Sequence, residues 1–379
     1  MRKTIALVKG DGAAPEMMAQ AVRVTSHAAL LDVIDIDWVE TPMGWSAFEQ
    51  FGDTTPPESM DRAEKIGTVF FGGVGDPALD NTIGKERPEM RPEARALLAL
   101  RKKMGLLLNY RPMILRKELA HLSPLKPELI PEEGVEMVFV RFLLEDSYFG
   151  TEDLLSAIPN AGSIGLKRKS AVTGTESMVS ELAYYQAETV RKYLRNVFDY
   201  ARARGLPVIS VDKANVMPRY VLWRAIAEEI AKEKGMPVTN QLVDSANMLL
   251  FEPKKLRGVI ACGNEHGDIL SDGAGAAVGG LGLMHSSAVN PETGAAMFES
   301  GAGTAPTLVG TDKANPLGRI LTGAMMLRHI GAEKGATAIE AAVHQVLVDV
   351  YRTGEIAEPG CQKVLSCSAM GEKVLSLIP

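Results

Sequence analysis

Short apolar runs that end in a glycine- or aspartate-bearing turn and give way to an amphipathic stretch recur along this chain. That alternation restricts the fold more than any other feature. Residues 4–8 run into Lys9-Gly10-Asp11-Gly12, and Pro15 suits the first turn of a helix whose apolar stripe is Met17, Met18 and Ala21. Residues 68–71 run into Gly72-Gly73-Val74-Gly75-Asp76-Pro77, and a helix over about 92–104 stops at Gly105. Residues 135–140 form a strand ending at Arg141, and 186–203 an amphipathic helix closed by Gly205. Residues 208–211 deliver Lys213 from a strand end, 221–234 form a helix ended by Gly235, and 258–262 lead to Asn264 and Asp268. Strand, turn and helix in this order predict an α/β fold with a largely parallel sheet covered by helices. Function in such sheets lies beyond the carboxyl ends of the strands. No Pro- or Ser-rich linker and no internal repeat divides the sequence, so two domains, if present, are interleaved along the chain.

Several function classes are excluded at this level. A net charge of −6 and a pI near 5.7 do not suit a nucleic-acid binder, which needs a basic stripe against phosphates. No apolar run reaches the length of a membrane span. A strand followed by Gly-Asp-Gly stands where a signal peptide would carry its apolar region. Cys262, Cys361 and Cys367 are scattered without a CxxC pair, which predicts a reducing, cytoplasmic compartment. Residues 10–15 and 301–306 approach GxGxxG but lack the third glycine, and neither opens a βαβ unit with an acid about 20 positions on. A Rossmann nucleotide site is not expected, and GxxxxGK[ST] and GxSxG are absent.

The chemistry-bearing residues lie in the middle of the chain. Asp268 and Asp272, at i and i+4, share one helix face. Alone they read equally as a solvated face. Joined by Asp244 from another segment, they would form an oxygen cage for a hard divalent ion such as Mg2+ or Mn2+. Lys213 would be the proton-transfer group. Arg101, Arg111 and Arg141 would bind a dicarboxylate through charge-assisted forks, with Leu97 and Leu98 beside them for an apolar substituent. Each arginine taken singly also fits an ordinary surface role. Tyr148 is either a half-buried core tyrosine or, if near Lys213, a proton donor whose phenol pKa that cation lowers.

Taken together, these motifs resemble the β-decarboxylating dehydrogenases, the group holding 3-isopropylmalate, isocitrate, homoisocitrate and tartrate/D-malate dehydrogenases. The resemblance runs nearly end to end. It rests on Gly10-Asp-Gly12, on Arg-Pro-Glu-Ala-Arg-Ala-Leu-Leu-Ala-Leu-Arg at 91–101, and on Asn-Tyr-Arg-Pro at 109–112. It continues through Tyr-Phe-Gly at 148–150, Ser-Val-Asp-Lys-Ala-Asn-Val at 210–216, Gly-Asn-Glu-His-Gly-Asp-Ile-Leu-Ser-Asp at 263–272, Ala-Asn-Pro-Leu at 314–317 and Ala-Met-Met-Leu-Arg at 324–328. It implies two α/β domains around a central cleft, distinct from the Rossmann fold. One domain would hold residues 1–106 and 280–379, the other 107–279, with a dimer-clasping arm over about 145–170. It also implies a homodimer with shared active sites, Lys213 and Asp244 being donated to the partner's cleft.

In roles, the resemblance assigns Arg101, Arg111 and Arg141 to the malate carboxylates and Asp244, Asp268 and Asp272 to Mg2+ or Mn2+. Lys213 would accept the hydroxyl proton and Tyr148 would return one to the enol. Leu97, Leu98 and Val216 would form an apolar pocket for the substituent, since a third carboxylate buried there would be costly. That favours 3-isopropylmalate, in leucine biosynthesis, over isocitrate. Cofactor contacts would come from Glu93, Asn215, Glu299, Gly303, Thr304, Ala305 and Asn315, with NAD as the cofactor and NADP kept open. The sequence departs from the family on this dinucleotide side. Gly12-Ala13-Ala14-Pro15-Glu16 replaces Gly-Ile-Gly-Pro-Glu, Ala302 replaces the histidine that stacks on adenine, and Thr307 replaces the aspartate that grips the ribose. Losing that carboxylate would cost about 1.5–3 kcal/mol of affinity. The Lys-Tyr pair of NADP enzymes is missing from Thr307 and Leu308, and Phe142 and Glu145-Asp146 are further departures. Two alternatives follow: a paralogue acting on another substituted malate, and a catalytically silent regulatory subunit. Retention of Lys213, Tyr148 and all three aspartates argues against silence.

Overall fold

A computed structural model describes residues 1–132, 134–157, 172 and 174–379. Ten strands belong to the large sheet: β1 (Arg2–Val8), β2 (Asp35–Glu40), β3 (Thr68–Phe71), β4 (Leu108–Leu115), β5 (Val135–Phe142), β6 (Val208–Asp212), β7 (Val238–Leu242), β8 (Gly258–Cys262), β9 (His285–Val289) and β10 (Ala296–Ser300). The chain forms two compact units. The first comprises Met1–Leu106, Leu115–Pro124 and Gly275–Pro379, the second Leu107–Ile114 and Leu125–Ala274. Residues 115–124 and 275–279, placed with the second domain by the sequence reading, thus group with the first.

In the first unit the strand order is β2-β1-β3-β10-β9. β1, β2, β3 and β10 run parallel, and β9 is antiparallel to β10. The helices Ala14–Ala29, Leu317–His329 and Glu333–Val348 bury Met18, Val24, Ile320, Leu327, Ile339 and Val343 in one core with Ile5, Phe70 and Phe298. In the second unit the order is β4-β5-β8-β6-β7, with β5, β8, β6 and β7 parallel. Tyr193, Leu194, Val197 and Phe198 of the helix Ala187–Arg204 pack with Trp223, Ile226 and Ile230 of Pro218–Lys234 against Val138, Val140, Val208 and Val259. The two helices stop where glycine permits a left-handed residue, Gly205 at φ 63° and Gly235 at φ 61°.

The segment 92–104 is not one regular α-helix. Glu93–Leu98 is wound as a π-helix before Ala99–Lys103 becomes α-helical. The π turn buries Ala96 and leaves Leu97 and Leu98 half-buried, and the α-helix after it buries Leu100 and Arg101. Among the described residues no helix is long and apolar enough to cross a membrane.

Candidate active site

Parallel strand ends deliver the polar residues of the second unit. β6 and β7 pair with Asp212 opposite Leu242, so their exits lie side by side. Lys213 leaves the first and Asp244 opens the helix Val243–Leu249 after the second. The Lys213 amine donates to an Asp244 carboxylate oxygen, and this bond holds the exposed Asp244 carboxyl below the usual range. The turn bearing Lys213 is fixed from beneath. Asp212 is fully buried, takes a two-pronged bond from Arg224 at 2.7 and 2.8 Å, and accepts the Ala214 N–H at 2.9 Å.

A second cluster forms where β4 and β5 meet the helix Asn264–Ala277. Arg141, 2% exposed at the end of β5, donates through Nε to Asn264 Oδ1 at 2.8 Å and through Nη1 to Asp268. Arg111 of β4 donates to Ser271 Oγ at 2.8 Å and lies 3.0 Å from Asp268 and 3.3 Å from Asp272. Tyr148 donates its hydroxyl to the other Asp268 oxygen at 2.9 Å, its ring 5.1 Å from the Arg141 guanidinium carbon. Gly267 lets the helix pass this closely, because a Cβ there would sit 3.0 Å from Arg141 Cβ and Cγ.

The Tyr148 surroundings correct one expectation. Its partners in the chain are Asp268 and Arg141, not Lys213, and its phenol is pushed up to about 12, by burial first and by the Asp268 charge second. A lowered phenol pKa is thus not found, and Tyr148 holds its proton as a donor. Within one chain the carboxylates of the expected cation cage are divided, as donation of Asp244 to a partner's cleft would require. Asp244 is bonded to Lys213, whereas Asp268 and Asp272 face the arginines. Among the described residues, no three His, Cys, Asp or Glu side chains come together to hold a metal ion. Asn215 and Val216 are exposed, Val216 at 64%, so among the described residues Val216 walls no enclosed pocket. The arm expected over 145–170 begins with the helix Asp146–Ala157, and its remainder, 158–170, lies outside the described residues.

The first unit carries the other candidates. Arg101, 4% exposed, is paired with Glu299 of β10, and its Nε has no partner among the described residues. A substrate-side and a cofactor-side residue of the sequence reading thus bond to each other. Glu93 is exposed. Asn315 is 3% exposed; its Oδ1 accepts the Leu317 N–H at 3.1 Å, and its Nδ2 lacks a partner among the described residues. Gly303 and Ala305 flank Thr304 with left-handed φ of 63° and 44°.

Three positioning acids were missed by the sequence reading. Asp11, 4% exposed, accepts N–H bonds from Trp45 and Ser46 at 2.9 Å and from Gly75 at 2.8 Å. Asp146, fully buried, accepts from Tyr185 OH at 2.6 Å and from the Ser147 and Asn264 N–H groups at 2.9 and 3.0 Å. Asp212 is the third. Their signal was only an aspartate in a turn after an apolar run, which does not tell a positioning acid from a solvated one.

A hydroxyl donor, two arginines and paired carboxylates gathered beside the end of β5 suit the handling of an oxygen-rich anion, and comparison supplies the chemistry. Residues 4–374 match the isocitrate/isopropylmalate dehydrogenase family. The chain is 37% identical to 3-isopropylmalate dehydrogenase of Neisseria gonorrhoeae, covering 100% of both, and 38% identical to that of Chromobacterium violaceum, covering 98% of this chain and 99% of the relative. Isocitrate dehydrogenase from Methylococcus capsulatus superposes with a TM-score of 0.80 at 27% identity over 99% of each chain. A β-decarboxylating dehydrogenase from Thermococcus kodakarensis superposes with a TM-score of 0.74 at 28% identity, covering 99% of this chain and 96% of that one. The protein is therefore an enzyme of the decarboxylating dehydrogenase class, with the α/β fold of that class. It belongs to the isocitrate/isopropylmalate dehydrogenase family.

Proposed function

We propose that this enzyme carries out NAD-linked, divalent-metal-dependent oxidative decarboxylation of a 3-alkylmalate, with 3-isopropylmalate as its substrate in leucine biosynthesis in the cytoplasm. The observation that carries the reading is the meeting of Arg111, Arg141 and the Tyr148 hydroxyl at Asp268. In the substrate complex the carboxylates of a malate take over Arg111 and Arg141, and the Asp268 oxygens are released for a cation. Asp268 and Asp272 are the hard oxygen donors that Mg2+ or Mn2+ takes, so the residues present fit such an ion, with Asp244 of a second copy as the third carboxylate. When bound, the ion supplies Lewis acidity to oxygens of the substrate, and NAD supplies the hydride acceptor. Lys213 takes the hydroxyl proton as the hydride leaves the same carbon. As CO2 leaves, the electron pair of the C–CO2 bond becomes that of an enolate whose charge rests on the former hydroxyl oxygen, and Tyr148 gives a proton to the carbon that lost CO2. A phenol that holds its proton suits that donation.

Sharing between two copies is supported by apolar side chains left bare on the second unit. Val216, Met248 and Ile269, 63–71% exposed, stand on the segments that carry Lys213, Asp244 and Asp268, and Val221 and Phe251, 55% and 64% exposed, lie nearby in sequence. Leu97 and Leu98 support an alkyl substituent over a third carboxylate. On the dinucleotide side, Asn215, Asn315, Glu93, Glu299 and the loop 303–305 are assigned to NAD. The test is a panel of purified enzyme with Mn2+, NAD or NADP, and 3-isopropylmalate, isocitrate, malate or tartrate, following reduced cofactor by absorbance. Turnover of 3-isopropylmalate with NAD is expected. Turnover of another malate alone would reassign the substrate, and substrate binding without turnover on any pair would mark a regulatory subunit.

A further inference from the structure

Parallel strands β1, β3 and β10 are followed at their carboxyl ends by the loops 9–13, 72–76 and 301–305. Backbone bonds stitch them together: Asp11 N–H donates to Gly73 O at 3.0 Å and Ala13 N–H to Thr304 O at 2.8 Å. The approach is so close that a Cβ on Gly12 would lie 2.4 Å from the Thr304 carbonyl oxygen. Arg319, from the helix Leu317–His329, joins the latter two loops. It is 1% exposed, and Nη2 donates to the carbonyl oxygens of Gly72 and of Gly303, the latter at 2.7 Å. Nη1 reaches the Met17 sulfur at 3.5 Å, and Nε has no partner among the described residues.

No carboxylate among the described residues neutralises this guanidinium, and burial pushes it down to about 10. A charge buried among neutral partners costs stability, and an apolar side chain of similar volume would fill the space without that penalty. The loop it holds explains its presence. The carbonyls of Gly303 and Thr304 are drawn to Arg319 and Ala13, so the N–H groups of the same trans peptides, those of Thr304 and Ala305, face the opposite way. Neither N–H donates to a described group. Successive free N–H groups beside left-handed residues form an anion-binding concavity. The side chains of this loop, Gly301, Ala302 and Gly303, bring no charge of their own.

We propose that Arg319 is a positioning residue for the dinucleotide, holding loop 301–305 with its N–H groups toward a cofactor phosphate and placing an uncompensated positive charge behind them. The inference rests on the NAD-linked reading above. Its test is calorimetric titration of NAD and NADP into the full-length enzyme without hydroxy acid, for wild type, Arg319→Met and Arg319→Lys. The Met variant should weaken dinucleotide binding by about tenfold or more. Lys, which keeps the cation but not the fork, should fall between it and wild type. The KM for the hydroxy acid should stay unchanged. Binding by wild type should also weaken more steeply with added salt than binding by Met, a signature that a merely structural role would not give. Wild-type affinity and salt dependence in the Met variant would overturn the role of Arg319 and leave the NAD-linked reading standing. Absence of binding of either dinucleotide to wild type would overturn that reading and this one together. Should circular dichroism show the Met variant unfolded, the Lys variant decides: weakened binding at unchanged hydroxy-acid KM supports the role, and wild-type affinity overturns it.

Discussion

Lys213 and Arg141 occupy opposite kinds of environment, and their substitutions should fail differently. Lys213 is part-exposed and bonded to an exposed aspartate, so Lys213→Met should change folding stability by no more than about 0.5 kcal/mol. If its amine takes the hydroxyl proton, kcat should fall by about 10²–10⁴-fold, while substrate-free metal affinity is retained. A near-normal kcat would remove Lys213 from the proton path. Arg141 is buried, with Nε on Asn264 and Nη1 on Asp268. Arg141→Lys keeps the charge but cannot reproduce both bonds in one plane. Its substrate KM should rise by about ten- to a hundredfold, the equivalent of 1.5–3 kcal/mol, and an unchanged KM would argue against a carboxylate contact. Both residues were legible in the sequence because each closes an apolar run. The Arg101–Glu299 pair was not, because 198 positions separate its members and no local pattern records a long-range ion pair.

At the level of elements, Gly267 and Gly273 of the helix Asn264–Ala277 have different neighbours. A Cβ at Gly267 would press on Arg141 Cβ and Cγ at 3.0 Å and on Cys262 Cβ at 3.2 Å, positions fixed by β5 and β8. Gly267→Ala should therefore lift the helix from the sheet, lower stability by about 1–3 kcal/mol and raise the substrate KM. Among the described residues, a Cβ at Gly273 would meet only the far end of Leu250 within 4 Å, at 3.0 Å. Alanine favours a helix over glycine by up to about 1 kcal/mol, so Gly273→Ala should leave the melting temperature equal or higher. The ordering of the two melting temperatures is the check, and Gly267→Ala matching wild type would show that the helix is not seated on Arg141. Element legibility followed the same physics. Glycine stops at 205 and 235 were readable, as were the apolar runs Val69–Phe71 of β3 and Val259–Cys262 of β8, because burial on both faces favours unbroken apolar residues. β7, Val-Thr-Asn-Gln-Leu, is a half-buried edge strand without that run, and β4 carries Pro112 within Asn-Tyr-Arg-Pro. The π-turns at Glu93–Leu98 left no trace in spacing, since the wider turn is set by what packs around the segment.

For the whole molecule, the decisive question is whether one chain can build a complete site. Lys213 and Asp244 answer each other, while Arg111, Arg141, Tyr148 and Asp268 form a separate cluster. The three aspartates were readable as a set in sequence, yet their assembly is not a property of one chain's local patterns. If two copies exchange the Lys213–Asp244 pair, inactive variants should repair each other. In a hybrid dimer of Lys213→Met with Asp268→Asn, one site draws its lysine from the second chain and its aspartate from the first, and both are intact. The other site holds both lesions. Random reassortment makes about half of the dimers hybrid, each with one good site of two, so the mixture should regain about a quarter of wild-type activity. A site built wholly from one chain would leave every hybrid site with a lesion and the mixture inactive. Repeating the mixture with Phe251→Asp in both chains separates assembly from chemistry. A charge placed on the bare apolar face should shift the enzyme to monomers by size-exclusion chromatography and abolish the recovered activity at the same time. Recovery that survived dissociation would mean that the exchange does not run through the face that carries Phe251.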